Sequence, residues 1–475
     1  MAEPTSNQHP VPLSQALEAG TQDGITFGVA SDATARAIQV LNNDLCRHVL
    51  VVDPNLAGKN ALLDFALAQQ VSRGGGAIVI ESGQDNRTID ALTRFTRSCG
   101  RESDLLVINL FNPELSNSYN TILQGTPQKV ASQVMSVLPT TEGNLGALLY
   151  RQKANESLTV LIAAIQKAGL AYNFLDLAMF LLKPSSLEAL LERLLDSDRK
   201  SPEVSALSAL LDSFRNAEGD IDHRRVAESM GGLAGRLYMY GTGGFGRVMN
   251  SYKPEVDLFT AVKENKLVYI AAPGTGIDSA AAALRKMLLM DLESALARFF
   301  TLPSAERKGD LPFMLIFGNS AEGDTTHVRR ILEQSRAIGV STWLCTKSLA
   351  DLASVDRSLC DWAVGGTWSH AIFNLGDGED ATFFSSLTGN LLEPSDVGDT
   401  TARPVIEPAE FASLHTHECL LLEGVSVTGR CSVPVIDEST DVADKFSRER
   451  LTRIHSEQRD GADIFTCTSV MSGAH

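Results

Sequence analysis

Arg47-His48-Val49-Leu50-Val51-Val52-Asp53-Pro54-Asn55-Leu56-Ala57-Gly58-Lys59-Asn60 is the stretch on which the fold turns. Its first half is a short apolar run ended by a breaker, as in a strand buried on both faces of a parallel sheet. From Asn60 to Arg73 the spacing becomes helical. A strand that turns directly into a helix aims the first backbone N–H groups of the helix at one point, where they can hold an anion. The turn fits half of the pattern G-x-x-x-x-G-K-[ST], in which glycines let N–H groups cradle phosphates, Lys bridges phosphate oxygens and a hydroxyl holds Mg²⁺. Gly58 and Lys59 match it. Asp53 stands at the first glycine and brings negative charge into the cradle, while Asn60 stands where the hydroxyl belongs. An ordinary strand-to-helix turn is the plain alternative.

The text on either side repeats the same alternation. Ala77 to Ile80 and Asp104 to Asn109 are further buried strands, so the order is strand, helix, strand, which implies βαβ units and a parallel sheet. Between about 128 and 240 the strands stop. Leu158, Leu161, Ile162 and Ile165 share one helix face, as do Leu187, Leu190, Leu191, Leu194 and Leu195, with Pro184-Ser185-Ser186 opening the second helix. Strands resume at Lys266 to Ile270, Phe313 to Phe317, Val340 to Cys345 and Trp368 to Phe373, with a long helix from about Asp278 to Phe300. The expected fold class is therefore α/β, a mainly parallel sheet carrying an inserted all-α block. The expected boundaries are a flexible tail over 1–24, a nucleotide-binding-type domain over 25–127 and 241–432, a helical insert over 128–240, and a charged tail over 433–475.

A phosphate-binding turn needs a second, acidic site, four apolar residues followed by Asp-Glu, to hold the metal and activate water. The best strand, Phe313 to Phe317, is followed by Gly318-Asn319-Ser320-Ala321-Glu322. Neither carboxylate stands in place, and Glu322 comes too late. Both halves of the site are altered at independent positions, which points away from hydrolysis.

Composition narrows the partners. With 58 acidic and 41 basic residues the formal charge is −17, a balance that argues against a broad nucleic-acid footprint and suits protein partners. Seven cysteines without a C-x-x-C pair read as free thiols in a reducing compartment. No basic and apolar leader opens the chain, and the most apolar stretch, Leu158 to Leu182, is broken by Gln166, Lys167, Asn173 and Asp176. A soluble cytoplasmic protein is the expectation. Two lesser signals have plain readings. Gly241-Thr242-Gly243-Gly244-Phe245-Gly246 matches a dinucleotide fingerprint but follows a helical stretch, so a flexible helix-to-strand connection is preferred. His415, His417 and Cys419 would share one face of a strand, which wraps a metal badly, so no metal site is assigned.

The order of parts resembles the conjugative coupling proteins, RecA-like motor ATPases related to the FtsK and HerA translocases, and most of all their type IVB secretion branch. The strand at Arg47 to Val52 resembles the family's first core strand. Gly76 to Glu81 with Asp85-Asn86 resembles its second strand and acidic turn. Gly100 to Asn109 and Ser116 to Asn120 resemble its third strand and the following loop. Pro254 to Leu258, Leu267 to Ile270 and Pro273 resemble the return to the sheet, and Leu352 to Thr388 the last core segment. The likeness covers about 25–430. It implies a RecA-like P-loop NTPase fold and a place in a conjugation or type IV secretion system. It also marks departures. The family's catalytic Asp-Glu pair falls on Gly318 and Asn319, its polar sensor falls on Lys347, and its N-terminal membrane hairpin has no counterpart. Lys347 could supply part of a missing metal's charge, which leaves room for weak ATP binding with no cofactor required.

The degenerate nucleotide site expected from this is Asp53, Gly58, Lys59, Asn60, Gly318, Asn319 and Lys347, with no catalytic residue assigned. Three readings follow: a pseudo-ATPase acting through contacts with other secretion subunits, an intact coupling ATPase among them; an active motor that moves DNA or protein; or an unrelated binding protein on the same scaffold.

Overall fold

The structure, a computed structural model, describes residues 10–83, 86–136, 138, 145–273, 279–303, 306, 311–319, 325–376, 378–394, 400–424, 426–437 and 466–467. Asp85, Glu322 and, apart from Thr466 and Cys467, the part of the charged tail after Asp437 lie outside the described residues. The chain divides into two compact units, one of residues 1–106, 258–271 and 295–446, the other of residues 107–257, 272–294 and 447–475.

The strands, in chain order, are β1 (Gly24–Ala30), β2 (Ala37–Leu41), β3 (Val49–Val52), β4 (Ala77–Glu81), β5 (Leu105–Asn109), β6 (Leu267–Ala271), β7 (Phe313–Phe317), β8 (Val340–Thr346), β9 (Ser369–Ile372), β10 (Asn390–Pro394), β11 (Thr400–Pro404), β12 (Glu418–Glu423) and β13 (Ser426–Ser432). The large sheet of the first unit runs β2-β1-β13-β12-β9-β3-β8-β7-β4-β6 and ends at β5, whose first two residues count with this unit. Its centre is parallel: β3 lies between β8 and β9, and β7 between β8 and β4. Val49, Leu50, Val51 and Val52 have no exposed surface, which is why this strand reads as an unbroken apolar run.

The sheet does not stop at the parallel core. The hairpin β12–β13 adds antiparallel to β9, and β1 with β2 adds antiparallel to β13. Near Thr26 the β1–β2 register shifts. There the buried Gln69 side chain takes over as a substitute strand, accepting the Thr26 N–H at 2.8 Å and donating to the Thr26 carbonyl at 2.8 Å. An unpaired buried amide would cost ~1–3 kcal/mol, so this side chain holds the strand in place. Gln70, the next residue, donates to the carbonyls of Gly76 and Pro312.

His48 sits just before β3 in the left-handed region, at φ 72°. Its Nδ1 accepts the Thr342 N–H and its Nε2 bonds the Leu332 carbonyl, which requires the neutral ring. Burial pushes its pKa down from 6.5 to about 4.

The second unit is helical, with helices at Leu145–Lys167, Phe174–Leu182, Pro184–Asp198, Pro202–Ser213, His223–Thr242 and Gly244–Met249. The expected faces are buried as read: Leu158, Leu161, Ile162 and Ile165 are inaccessible, and Leu187, Leu190 and Leu194 nearly so, with Leu191 and Leu195 half-buried at the margin. No described helix is long and apolar enough to cross a membrane.

Several local expectations need correction. Residues 10–22, read as part of a mobile tail, contain the helix Leu13–Glu18 with Leu13 and Ala16 buried, and Val11 bridges Ile436. Pro184-Ser185-Ser186, read as a capped helix start, carries no side-chain cap: Pro184 is already the first helical residue, both serines lie inside the helix, and the residue at the cap position is Lys183, which has no oxygen to accept the helix-start N–H groups. The glycine run at 241–246 joins two helices, not a helix and a strand. Only Cys419 of the His415, His417, Cys419 trio lies in a strand, because β12 begins at Glu418.

Candidate functional site

All of the site lies in the first unit, at the ends of β3, β4, β7 and β8. The chain leaves β3 at Asp53, bends through Leu56 in the left-handed region (φ 64°), and enters the helix Ala57–Ser72. A leucine seldom adopts that conformation, so the turn is held by its bonds. The Asp53 side chain supplies them. Its Oδ1 accepts the Asn55 N–H at 2.9 Å and its Oδ2 accepts the Lys59 N–H at 2.8 Å, while the residue is only 2% exposed. An anion so placed satisfies helix-start donors and meets the positive end of the helix dipole.

Lys59 is 7% exposed, and its Nζ donates to the Gly318 carbonyl at 3.1 Å. Gly318 follows β7, so the lysine that would reach for phosphate is tied to the strand that would carry the metal ligand. Gly58 has a packing reason to be glycine. A Cβ there would stand 2.3 Å from the Phe373 ring and 2.7 Å from the Thr416 carbonyl. The segment carrying Thr416 therefore closes over the turn. His417 follows, half-buried; burial lowers its pKa, and the Asp53 carboxylate partly offsets this.

Glu81 is the residue that sequence reasoning missed. It ends β4, next to β7, level with Gly318, whose N–H donates to Ile80 at 2.9 Å. Its Oε1 accepts from the Thr88 hydroxyl and its Oε2 from the Tyr269 hydroxyl, both at 2.9 Å. A Cβ on residue 318 would lie 3.1 Å from Glu81 Cγ and 3.4 Å from Oε1. The glutamate therefore fills the space where a side chain on 318 would stand. The buried Cys345 thiol, on β8, is pushed up to about 12, first by burial, with Lys59 opposing and Glu81 and Asp53 adding to the shift. These three charged groups thus gather around one buried point.

Of the expected site residues, Asp53, Gly58, Lys59 and Gly318 come together. Asn60 is half-buried in the first turn of the helix, its N–H bonded to the Leu56 carbonyl. Asn319 is half-buried beside Gly318, and Lys347 is exposed on the turn after β8. Among the described residues no group of three or more His, Cys, Asp or Glu is arranged to hold a metal. In this arrangement two cradle N–H groups are taken by Asp53, the ammonium is held by the Gly318 carbonyl, neither 60 nor 318 offers an anionic or hydroxyl ligand, and the nearest carboxylate to 318 is that of Glu81.

No protein-family model matches the chain. Its architecture matches plasmid coupling protein TrwB: the complex with a non-hydrolysable ATP analogue at TM-score 0.56 and 13% identity, over 92% of this chain and 95% of that one. The TrwB complex with ADP and Mg²⁺ matches at TM-score 0.55 and 14% identity, over 90% and 94%. The chain therefore has the RecA-like P-loop NTPase fold. In sequence it is 29% identical over 125 residues to the type 4 coupling protein DotL of Legionella pneumophila, 24% of this chain and 16% of DotL's length. The chain is thus similar to type IV coupling proteins in two ways, to TrwB in fold and to DotL in sequence over those 125 residues.

Proposed function

We propose that this chain is a structural or regulatory subunit of a conjugation or type IV secretion apparatus, acting through protein contacts and not through ATP hydrolysis. The observation that carries this reading is the end of β7. Where a carboxylate is needed, Gly318 presents a backbone carbonyl that holds Lys59 at 3.1 Å. TrwB, of the same fold, is seen with ADP and Mg²⁺. Here the groups for that ligand bond one another instead. Each missing transition-state group typically costs ~10²–10³ in rate. ATP turnover by the purified chain, with and without DNA, is therefore expected at background. A DNA-stimulated rate of about one per second, ordinary for an enzyme, would overturn the proposal.

One observation favours a second reading, an active coupling ATPase that moves DNA or protein to the channel. Glu81 places a carboxylate level with Gly318 from the neighbouring strand, where it could take over the role of the missing acid. That reading requires measurable turnover and its loss in Glu81→Gln.

A further inference from the structure

We infer that Asp53 is a built-in anion that takes the place of phosphate in the cradle, so that this unit is folded and latched without nucleotide. The inference rests on the non-hydrolysing reading and says what holds that site shut. Three contacts carry it. The carboxylate accepts two backbone N–H groups on either side of the turn, at 2.9 and 2.8 Å. It is almost fully buried, so these bonds are made out of water, where a charge-assisted bond is strongest. Lys59, which would otherwise be drawn to a phosphate, bonds Gly318 instead and leaves the carboxylate as the anion at the helix start. An external phosphate would have to displace a tethered ligand whose effective concentration is high and whose charge has the same sign as its own.

The experiment compares the full chain with Asp53→Gly and Asp53→Asn by thermal unfolding, in buffer and with inorganic phosphate or pyrophosphate at millimolar concentration. Removing an anion that accepts two N–H groups is expected to raise the unfolding equilibrium constant about tenfold. Phosphate should restore part of that loss in Asp53→Gly and leave the unaltered chain unchanged. Asp53→Asn keeps one acceptor and should fall between the two, which keeps the test usable if the glycine variant does not fold. The inference is overturned if Asp53→Gly is as stable as the unaltered chain. It is overturned equally if phosphate fails to restore any stability to Asp53→Gly, since the carboxylate is then a turn residue alone. Binding of phosphate by the unaltered chain would also overturn it. None of these results depends on turnover, so failure here leaves the non-hydrolysing reading standing, and ATP hydrolysis would refute that reading separately.

Discussion

Replacing Gly318 by aspartate returns the residue type that a coupling ATPase would have there, yet the structure says the change should weaken the protein. The new Cβ would lie 3.1 Å from Glu81 Cγ, and its carboxylate would meet the Glu81 carboxylate, already fixed by Thr88 and Tyr269. Two like charges about 4 Å apart at an effective dielectric near 20 repel by roughly 4 kcal/mol before screening and relaxation. Glu81 is half-exposed and the Lys59 ammonium is close by, which brings the expected coupling down to about 1–2 kcal/mol. A double-mutant cycle isolates it: Gly318→Asp and Glu81→Gln alone and together, each by denaturant unfolding. Gly318→Asp should cost more with Glu81 present than with glutamine there. Its penalty should also shrink as the pH falls toward the carboxylate range. Equal costs in both backgrounds, to within about 0.3 kcal/mol, would show that Glu81 does not hold that space.

Two further outcomes follow from named contacts. His48 is neutral in the fold with a pKa of about 4, against 6.5 when free, so the unfolded chain binds the extra proton between those values; stability should fall by about 3 kcal/mol as pH drops from 6.5 to 4. His48→Asn, which tolerates the left-handed backbone, should flatten the unfolding midpoint over that window; the buried His370, also shifted downward, supplies a residual slope, and an unchanged pH profile would refute the assignment. Gly58→Ala should cost about 1–3 kcal/mol by forcing a methyl into the Phe373 ring, and Phe373→Ala in the same chain should recover part of that cost. No loss in the single variant, measured by thermal unfolding, would remove the packing explanation.

The parallel core was legible because strands covered on both faces must be apolar throughout. Val49–Val52, Ala77–Glu81 and Phe313–Phe317 could be read within a residue or two of their ends. The antiparallel margin was not. Ser426–Ser432 reads SVTGRCS, polar because most of its residues are partly exposed, and Gly24–Ala30 carries two glycines that a strand pattern discourages. The residues at the site were legible as letters but not as contacts. Asp53 was read as a repelling charge. Its position two residues before Asn55 is also that of a side chain that closes its own turn, and this was the available signal. Gly58-Lys59 read as half of a phosphate motif, while the structure gives each a partner inside the protein. Glu81 escaped because it reaches the site from a strand that the motif does not include. A carboxylate ending a buried parallel strand was the only sequence sign of it.

The placement of β1 has a consequence for how the chain is made. Its antiparallel partner β13 lies about 400 residues later, Val29 pairing with Ser432 and Ala30 with Cys431. At roughly 5–20 residues per second on the ribosome, that separation leaves β1 without β13 for ~20–80 s. Gln69, made a few seconds after Thr26, is positioned to occupy the backbone groups of Thr26 during that interval. A nascent chain with alanine there would leave the Thr26 backbone groups open for that time, and a lower yield of folded chain from synthesis is the expected sign of it.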